Sequence, residues 1–167
     1  MSNETSKVRE SLSSEWEIDF RLWQYLDLTR HMIFRLQGKE LAQVSISPEQ
    51  ALVLIILHNA GGSTSIKTIV EATQRRHHAI SPVITRMAKQ GLVRKTRTRH
   101  DKRAYRVSLT DKGDAVRSSL PRDSITNAFS SLGAAEKMIL LGYLNRLLAR
   151  TFESDGQKWD PDIVGGK

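Results

Sequence analysis

Residues 91–110 read GLVRKTRTRHDKRAYRVSLT and are the most informative segment of the chain. Every second residue of 105–109 is apolar, which is the period of a half-buried β-strand. Leu92–Thr96 is the matching first strand, because the helical period of the preceding segment stops at Gly91. The connection Arg97–Ala104 is unusually basic. The segment therefore predicts a β-hairpin with a charged tip.

Two short helices are predicted before the hairpin. The second has apolar residues at the i, i+3, i+4 and i+7 positions of one helix face, namely Ile80, Val83, Ile84 and Met87. The first follows the capping residues Ser63-Thr64-Ser65 and turns three apolar side chains inward, Ile66, Ile69 and Val70. Two helices followed by a hairpin predict a winged helix-turn-helix, whose second helix enters the major groove of DNA.

The charge of the chain is concentrated on the same segment. The 167 residues carry a formal net charge of +8. Between Arg75 and Arg103 there are ten Lys and Arg residues and a single acid, Asp101. A basic patch this dense and this localised favours a phosphate backbone as the partner. A membrane surface is less favoured, because the patch is not one amphipathic helix with an apolar face.

The outward side of the second helix supplies the candidate base contacts, which are Ser81, Pro82, Thr85 and Arg86. Contacts to the DNA backbone are predicted for the residues around them: Thr64, Ser65, Thr68, Arg75, Arg76, His77, His78, Lys89 and Arg94. His77 and His78 are equally well explained as solvated turn residues. The helix starts either before Ser81 or at Ser81, since Ser81-Pro82 is itself a good cap and first-turn pair.

The wing tip would lie along a phosphate backbone or enter a minor groove. Its candidate residues are Arg97, Arg99, His100, Asp101, Lys102 and Arg103.

A long helix is predicted before this lobe, from Glu15 to about Val44. It carries two apolar stripes, one of which contains the aromatic residues Trp16, Phe20 and Trp23. A helix of this length spans about 45 Å, more than the core of one small domain needs. We therefore expect one stripe to pack against a partner chain, with packing against its own core alone as the alternative.

Capping signals and breakers divide the rest of the chain. Ser47 and Gln50 predict a capping box at the start of an apolar helix. Thr110 caps a further helix that bends near Pro121. A last helix runs from about Ala134 to Phe152. Residues 1–14 are expected to be flexible and residues 153–167 to form a mobile tail.

Three motifs occur in a fixed order. They are Gly91-Leu92-Val93-Arg94, Asp101-Lys102-Arg103 in the wing, and Val107-Ser108-Leu109-Thr110-Asp111-Lys112-Gly113 at the start of the next helix. In order and spacing they resemble the MarR (multiple antibiotic resistance regulator) family of winged helix-turn-helix transcriptional regulators. The resemblance covers roughly residues 15–152. Pro82 departs from the family, which usually has a polar or basic residue there.

The resemblance implies a mainly α (α+β) fold that assembles as a homodimer on a pseudo-palindromic operator. Residues 15–44 and 111–152 would form the dimerisation helices. The DNA-binding lobe would be 47–110, with the helix-turn-helix at about 64–90 and the wing at 92–109. In the family the wing Asp and Arg shape the hairpin and contact DNA, and Asp101 and Arg103 match them. We therefore expect Asp101 to pair with Arg94 or Arg103.

Family members also bind small aromatic or lipophilic effectors between the dimerisation helices and the lobe. The candidate pocket residues here are Trp23, His31, Arg35 and His58. These residues are better explained as core and dimer contacts.

Other classes of function are not indicated. The chain has no cysteine, and none of its five histidines forms an i, i+4 pair, so no metal or other cofactor is expected. No phosphate loop or nucleophile motif points to an enzyme. No apolar run approaches the length of a membrane span, and no signal peptide is found, so we expect a soluble cytoplasmic protein.

The sequence thus predicts a sequence-specific regulator of transcription that binds double-stranded DNA as a homodimer. It would act as a repressor that a small effector releases, with activation of transcription as the alternative. The alternative is a winged-helix interaction module that binds protein or RNA through its basic hairpin.

Overall fold

The computed structural model describes residues 2–97 and 105–161, with side chains from Ser14 onward. It is mainly helical with a small antiparallel sheet, as the sequence predicts. In chain order the elements are α1 (Ser2–Ala42), α2 (Pro48–Asn59), β1 (Ser63–Ser65), α3 (Ile66–Thr73), α4 (His77–Lys89), β2 (Val93–Arg97), β3 (Tyr105–Leu109), α5 (Asp111–Ser118), α6 (Asp123–Ala128) and α7 (Ala134–Ser154).

Side-chain caps set the start of three helices where the sequence predicts them. Ser47 Oγ accepts a hydrogen bond from the Gln50 backbone N–H at 3.3 Å, and Gln50 Oε1 accepts one from the Ser47 N–H at 3.0 Å. This reciprocal pair is the capping box of α2. Ser65 and Thr110 cap α3 and α5 through their own side chains. The predicted caps are confirmed.

The start of one helix differs from the prediction, and the start of another decides between the two predicted alternatives. α1 begins at Ser2, not at Glu15, while the flexibility of residues 1–14 stays a prediction. α4 begins at His77, so it starts before Ser81 and contains Pro82. A proline inside a helix removes the N–H that would bond the carbonyl four residues earlier, here that of His78.

The helix after the hairpin is interrupted near Pro121, as expected. α5 ends at Ser118 and α6 begins at Asp123, so the predicted bend is a full break between two short helices.

The hairpin belongs to a three-stranded sheet with the strand order β1-β3-β2. β2 and β3 pair from Val93 opposite Leu109 to Arg97 opposite Tyr105, which confirms the hairpin. The sequence predicts 63–65 only as a capping segment, but these residues also form β1 and pair with 106–108 of β3. Three consecutive polar residues carry no alternating pattern, so the strand gave no local signal.

The core lies within the lobe, between α2, α3, α4 and the sheet. Its fully buried side chains include one or more from each of these elements: Val53, Leu54, Leu57, Ile69, Ile80, Ile84, Met87 and Val107. Gln50 is buried as well, and its Nε2 donates to Gln90 Oε1 at 2.6 Å. The start of α2 is thereby tied to the end of α4.

Gly113 allows α5 to pack closely against the start of the hairpin. A Cβ at this position would collide with the carbonyl oxygen of Leu92 and press on the Leu109 side chain. The glycine of the third motif is therefore needed for a close approach of two backbones.

The terminal helices are exposed in one protomer. Large apolar side chains that are at least 36% exposed lie on α1 (Trp16, Ile18, Phe20, Leu22, Trp23, Tyr25, Leu26, Leu28, Met32, Phe34 and Leu36) and on α7 (Met138, Ile139, Leu141, Tyr143, Leu147 and Leu148). α7 has no buried residue. Isolated proteins rarely expose apolar surface this extensive and continuous.

The C-terminal segment turns back on α7 as far as it is described. The rings of Trp159 and Phe152 lie 5.1 Å apart, and Trp159 Nε1 donates to Asn145 Oδ1 at 2.5 Å. Residues 162–167 of the predicted mobile tail lie outside the described residues.

Among the described residues, no helix is both long and apolar enough to cross a membrane. The same residues contain no cluster of three or more His, Cys, Asp or Glu side chains that could hold a metal ion.

Candidate nucleic-acid interface

The turn between α3 and α4 orients the two helices of the helix-turn-helix. α3 ends at Thr73, and the C-cap residue Gln74 has a left-handed backbone with a φ of +50°. Only two further residues, Arg75 and Arg76, precede α4. A short turn of this kind is typical of a DNA-binding helix pair, in which the second helix is presented to the groove.

α4 separates its buried and exposed sides clearly. Ile80, Val83, Ile84 and Met87 are buried against the core, as the sequence predicts. The opposite side forms a shallow open depression, which we call the recognition face; it comprises His77, His78, Ser81, Pro82, Thr85, Arg86 and Lys89. Ser81 is half-buried and the other six are exposed. The four predicted base-contacting residues therefore share one surface, which contains no acid.

The polar residues predicted to contact phosphates near α3 are already engaged within the fold. Thr64 lies in β1, Ser65 caps α3, and the Ser65 and Thr68 hydroxyls lie 2.9 Å apart. All three side chains are half-buried. Their structural role is evident, and their contact with DNA stays a prediction.

The predicted cations around α4 differ in their surroundings. Arg75 Nη1 lies 3.5 Å from Glu49 Oε1 on α2, so its charge is partly compensated. Arg76 precedes the first residue of α4 and is exposed, and Arg94 is exposed on β2. Arg76 and Arg94 are therefore better placed than Arg75 to meet phosphate groups.

The base of the wing carries cations that are held by an aromatic ring. Lys95 Nζ lies 4.1 Å from the centre of the Tyr105 ring, and Arg97 Nε donates to the Tyr105 hydroxyl at 3.2 Å. The hydrogen bond from Arg97, followed by its positive charge, lowers the pKa of Tyr105. The contacts hold both cations next to one another on the hairpin.

The tip of the wing carries five of the six predicted wing residues. Arg97 is the last described residue of β2, whereas Arg99, His100, Asp101, Lys102 and Arg103 lie outside the described residues. The predicted pairing of Asp101 with Arg94 or Arg103 lies outside them too.

Sequence reasoning missed two further cations and the contacts that support the interface. Lys95 and Arg106 belong to the hairpin, and Arg106 Nε donates to Ser63 Oγ at 2.8 Å. Lys112 Nζ donates to the Gln90 carbonyl at 2.8 Å, which fixes the end of α4 to α5. The basic character of 94–106 was a signal for Lys95 and Arg106, but nothing local indicated the partner of Lys112.

The candidate effector residues are not brought together within one protomer. His58 lines a cavity of about 350 Å³ between α1, α2, α5 and α6, together with Gln37, Leu41, Ala51, Ile55, Asn59, Arg117, Leu120, Pro121, Arg122, Ile125 and Thr126. Trp23, His31 and Arg35 are exposed on α1 and do not line it. Only one of the four predicted residues therefore belongs to this cavity.

The Asp114 carboxylate contacts two of the residues that line the cavity. Arg117 Nε donates to Asp114 Oδ1 at 2.8 Å, and His58 Nδ1 lies 3.6 Å from the same oxygen. The hydrogen bond from Arg117 is the main cause of a lowered pKa for Asp114. The carboxylate thus links α2, through His58, to α5.

The sequence matches the model of the MarR family over residues 44–104, which include the helix-turn-helix. A curated relative is the HTH-type transcriptional repressor MdtR of Bacillus subtilis (strain 168). It is 27% identical over 112 residues, which are 66% of this chain and 72% of MdtR.

Solved structures share the fold. The organohalide-sensing transcriptional regulator RdhR, in its 2,4-dichlorophenol-bound form, superposes with a TM-score of 0.68 at 25% identity, covering 78% of this chain and 79% of that one. A mutant of MarR from E. coli, complexed with operator DNA, gives a TM-score of 0.67 at 19% identity over 77% of this chain and 94% of that one.

Proposed function

We propose that the chain belongs to the MarR family of winged helix-turn-helix regulators, whose model it matches over residues 44–104, and that it is a homodimeric transcriptional repressor that binds operator DNA. A regulator of this family acts by binding and not by catalysis, so no enzymatic step is part of the proposal.

The recognition face is the observation that carries this proposal. Between residues 75 and 97 the chain has seven Lys and Arg residues and no acid. Among these residues, Arg86 and Lys89 lie on the exposed side of α4, and Lys95 and Arg97 lie on the adjacent hairpin. A helix with polar and basic side chains on its outer face fits the major groove, which is about 12 Å wide. Arg86 is our candidate for a guanine contact, and the hairpin cations are candidates for phosphate contacts.

The exposed apolar faces of α1 and α7 support a homodimer. Burying large apolar side chains contributes about 1.5–3 kcal/mol each, so a second copy covering these faces would be strongly stabilised. Two-fold symmetry then presents two recognition faces to successive major grooves, about 10 base pairs apart. The operator would accordingly be an inverted repeat.

Repression would be steric, because the dimer occupies DNA that the transcription machinery needs. The curated relative MdtR is a transcriptional repressor, which supports repression over activation. A protein that acts on genomic DNA works in the compartment holding that DNA, so a cytoplasmic location is part of this proposal.

The cavity beside His58 is the candidate effector site. It lies where the terminal helices meet the lobe, and its apolar walls include Leu41, Ile55 and Ile125. Arg117 on its wall is already paired with Asp114, whereas Arg122 adds a cation that favours a small amphiphilic ligand with an acidic group. RdhR, of similar fold, has been solved with 2,4-dichlorophenol bound. A ligand here would release DNA if it bound more tightly to a dimer with a different spacing of the two lobes.

Selection from a random pool of DNA duplexes with the full-length protein tests the function. At about physiological salt we expect recovery of an inverted repeat, with an affinity that falls steeply as salt rises. Recovery of no sequence motif, together with binding to RNA or an acidic protein, would favour the alternative interaction module.

The effector site has a separate test. We expect 2,4-dichlorophenol, used as a probe, to raise the Kd for the selected operator. Ile55→Trp should fill the cavity and suppress this release while operator binding persists, because Ile55 is 41% exposed and tolerates a larger side chain. Leu52→Trp, at an exposed position of the same helix that does not line the cavity, is the control. Equal release from Ile55→Trp and the unmodified protein would place the effector elsewhere.

A further inference from the structure

The centre and the edges of the recognition face differ in chemistry. At about 100° per residue, His78, Pro82, Thr85 and Lys89 fall on one line along α4, with Ser81 and Arg86 on opposite sides of it. Pro82 and Thr85 occupy the middle of this line and are both exposed. Side chains that could donate a hydrogen bond to a base therefore surround Pro82 and Thr85. The long or ring side chains among them are His78, Arg86 and Lys89.

The middle of the line has no hydrogen-bond donor to offer a base. Thr85 Oγ1 donates its proton to the Ser81 carbonyl oxygen at 2.9 Å, one turn earlier in the same helix. Once the hydroxyl is directed to the backbone, the methyl group is the remaining substituent on the Thr85 Cβ. Pro82 presents only ring methylenes and has no backbone N–H. The two side chains together form a small apolar platform.

One base carries a matching apolar group in the major groove. Thymine has a C5 methyl group, whereas the groove edges of guanine, adenine and cytosine present only donors and acceptors at the equivalent contacts. We infer that the Pro82–Thr85 platform selects a thymine in each half-site through its methyl group, next to a guanine that Arg86 contacts. This inference rests on the proposed binding of duplex DNA and specifies what the recognition face distinguishes.

The test replaces thymine by deoxyuridine, which pairs in the same way and lacks only the methyl group. The probe is the selected inverted-repeat duplex, with one symmetric pair of thymines replaced at a time. Burying one methyl group corresponds to about a fourfold change in affinity, or about 15-fold for the two half-sites together. We expect one symmetric pair to show this loss in fluorescence anisotropy at fixed salt.

Two variants assign the effect to the platform. Thr85→Ser keeps the hydroxyl that bonds to Ser81 and removes only the methyl group, so the difference between thymine and deoxyuridine should shrink toward twofold or less. Thr85→Val keeps the methyl group and removes the hydroxyl, so the difference should persist. Pro82→Ala should reduce it as Thr85→Ser does.

The outcomes distinguish a failure of this inference from a failure of the proposed function on which it rests. Sequence-specific binding that is equally tight with deoxyuridine at every position would overturn thymine selection and leave the repressor proposal intact. Discrimination that survives both Thr85→Ser and Pro82→Ala would place the methyl contact on other residues and overturn the assignment. Absence of any sequence-specific binding would remove both proposals.

Discussion

The lobe and the terminal helices differ in how much of their apolar surface one chain buries. The lobe buries its own apolar side chains, with Val53, Leu54 and Ile84 completely inaccessible, and caps its helices with its own hydroxyl groups. α7 buries no residue, and α1 contributes only Leu41 to the core among its described side chains. The lobe is therefore stabilised within one chain, whereas the terminal helices expose apolar faces that the proposed homodimer would bury. Folding of the recognition face therefore depends on one chain, whereas its proposed placement on DNA depends on the dimer.

The largest effect is expected from a charge placed on the apolar face of α7. Leu147→Glu appears twice in a symmetric interface, and burying an unpaired carboxylate costs several kcal/mol. We expect dimer affinity to fall by at least about 100-fold, with operator binding lost in parallel. Sedimentation velocity and anisotropy measure the two effects. Arg146→Glu, at a polar position of the same helix, should remain dimeric; a dimeric Leu147→Glu protein would break the distinction between the two regions.

Two matched Leu→Ala substitutions compare the lobe and the terminal helices directly. Leu54→Ala in the lobe core should lower the free energy of unfolding by about 2–5 kcal/mol, independently of protein concentration. Leu141→Ala, on the exposed face of α7, should instead act through the dimer. Its effect on Tm should therefore depend on protein concentration. Denaturation at several concentrations makes the comparison, and a concentration-independent effect for Leu141→Ala would contradict it.

Within the lobe, helix and hairpin are expected to divide the work of DNA binding. Arg86→Ala should cost about 1–3 kcal/mol in each half-site and relax the preference there at one or two base pairs. Arg97→Ala on the hairpin should weaken binding to all duplexes alike and reduce the salt dependence by about two units of slope, one for each half-site. Titrations of specific and scrambled duplexes at several salt concentrations separate these results. Identical profiles for both variants would argue against the division.

The smallest effect concerns the contact between the end of α1 and the start of α6. Glu40, near the end of α1, accepts hydrogen bonds from the Ser124 hydroxyl and from the Asp123 backbone N–H, the latter at 2.8 Å. The Ser124 hydroxyl is the main reason that the pKa of Glu40 is lowered from its ordinary value of 4.5. A carboxyl whose pKa is lower in the folded state stabilises the fold above its ordinary pKa, and this contribution is lost as the pH falls through the lowered value.

Glu40→Gln should therefore lower the Tm near pH 7 and have little effect near pH 3. Glu71→Gln, which removes one partner of the exposed Lys67–Glu71 pair, is the control and should change the Tm little at either pH. A Tm difference for Glu40→Gln that is the same at both pH values would show that the carboxylate charge does not matter at this contact.

Local signals predicted most of the lobe. Ser47, Ser65 and Thr110 cap helices where their spacing indicates, and the buried face of α4 follows its helical period. β1 was missed because its strand pairing depends on β3, more than 40 residues away, and not on its own pattern. The Gln50–Gln90 and Lys112–Gln90 contacts were missed for the same reason. Long-range polar contacts have no periodic signature in the sequence.

The candidate site was predicted less completely than the fold. The base-contacting candidates followed from the outward side of one helix, because a single helix sets their mutual positions. The effector residues did not, since Trp23, His31 and Arg35 lie on α1 away from the cavity beside His58. Predicting that cavity requires the packing of four helices. The helix start at His77 was open because Pro82 is compatible with a first turn as well as an interior position.

The central claim is that the terminal helices hold two self-contained lobes at a fixed distance. The spacing of the half-sites tests this claim most directly. The selected inverted repeat is compared with a duplex in which about five base pairs, half a helical turn, are inserted between the half-sites. We predict that the insertion lowers the affinity to that of a single half-site, because both recognition faces can no longer enter major grooves on the same side. Equal affinity for the two duplexes would contradict a rigid dimer and would mean that each lobe binds DNA independently.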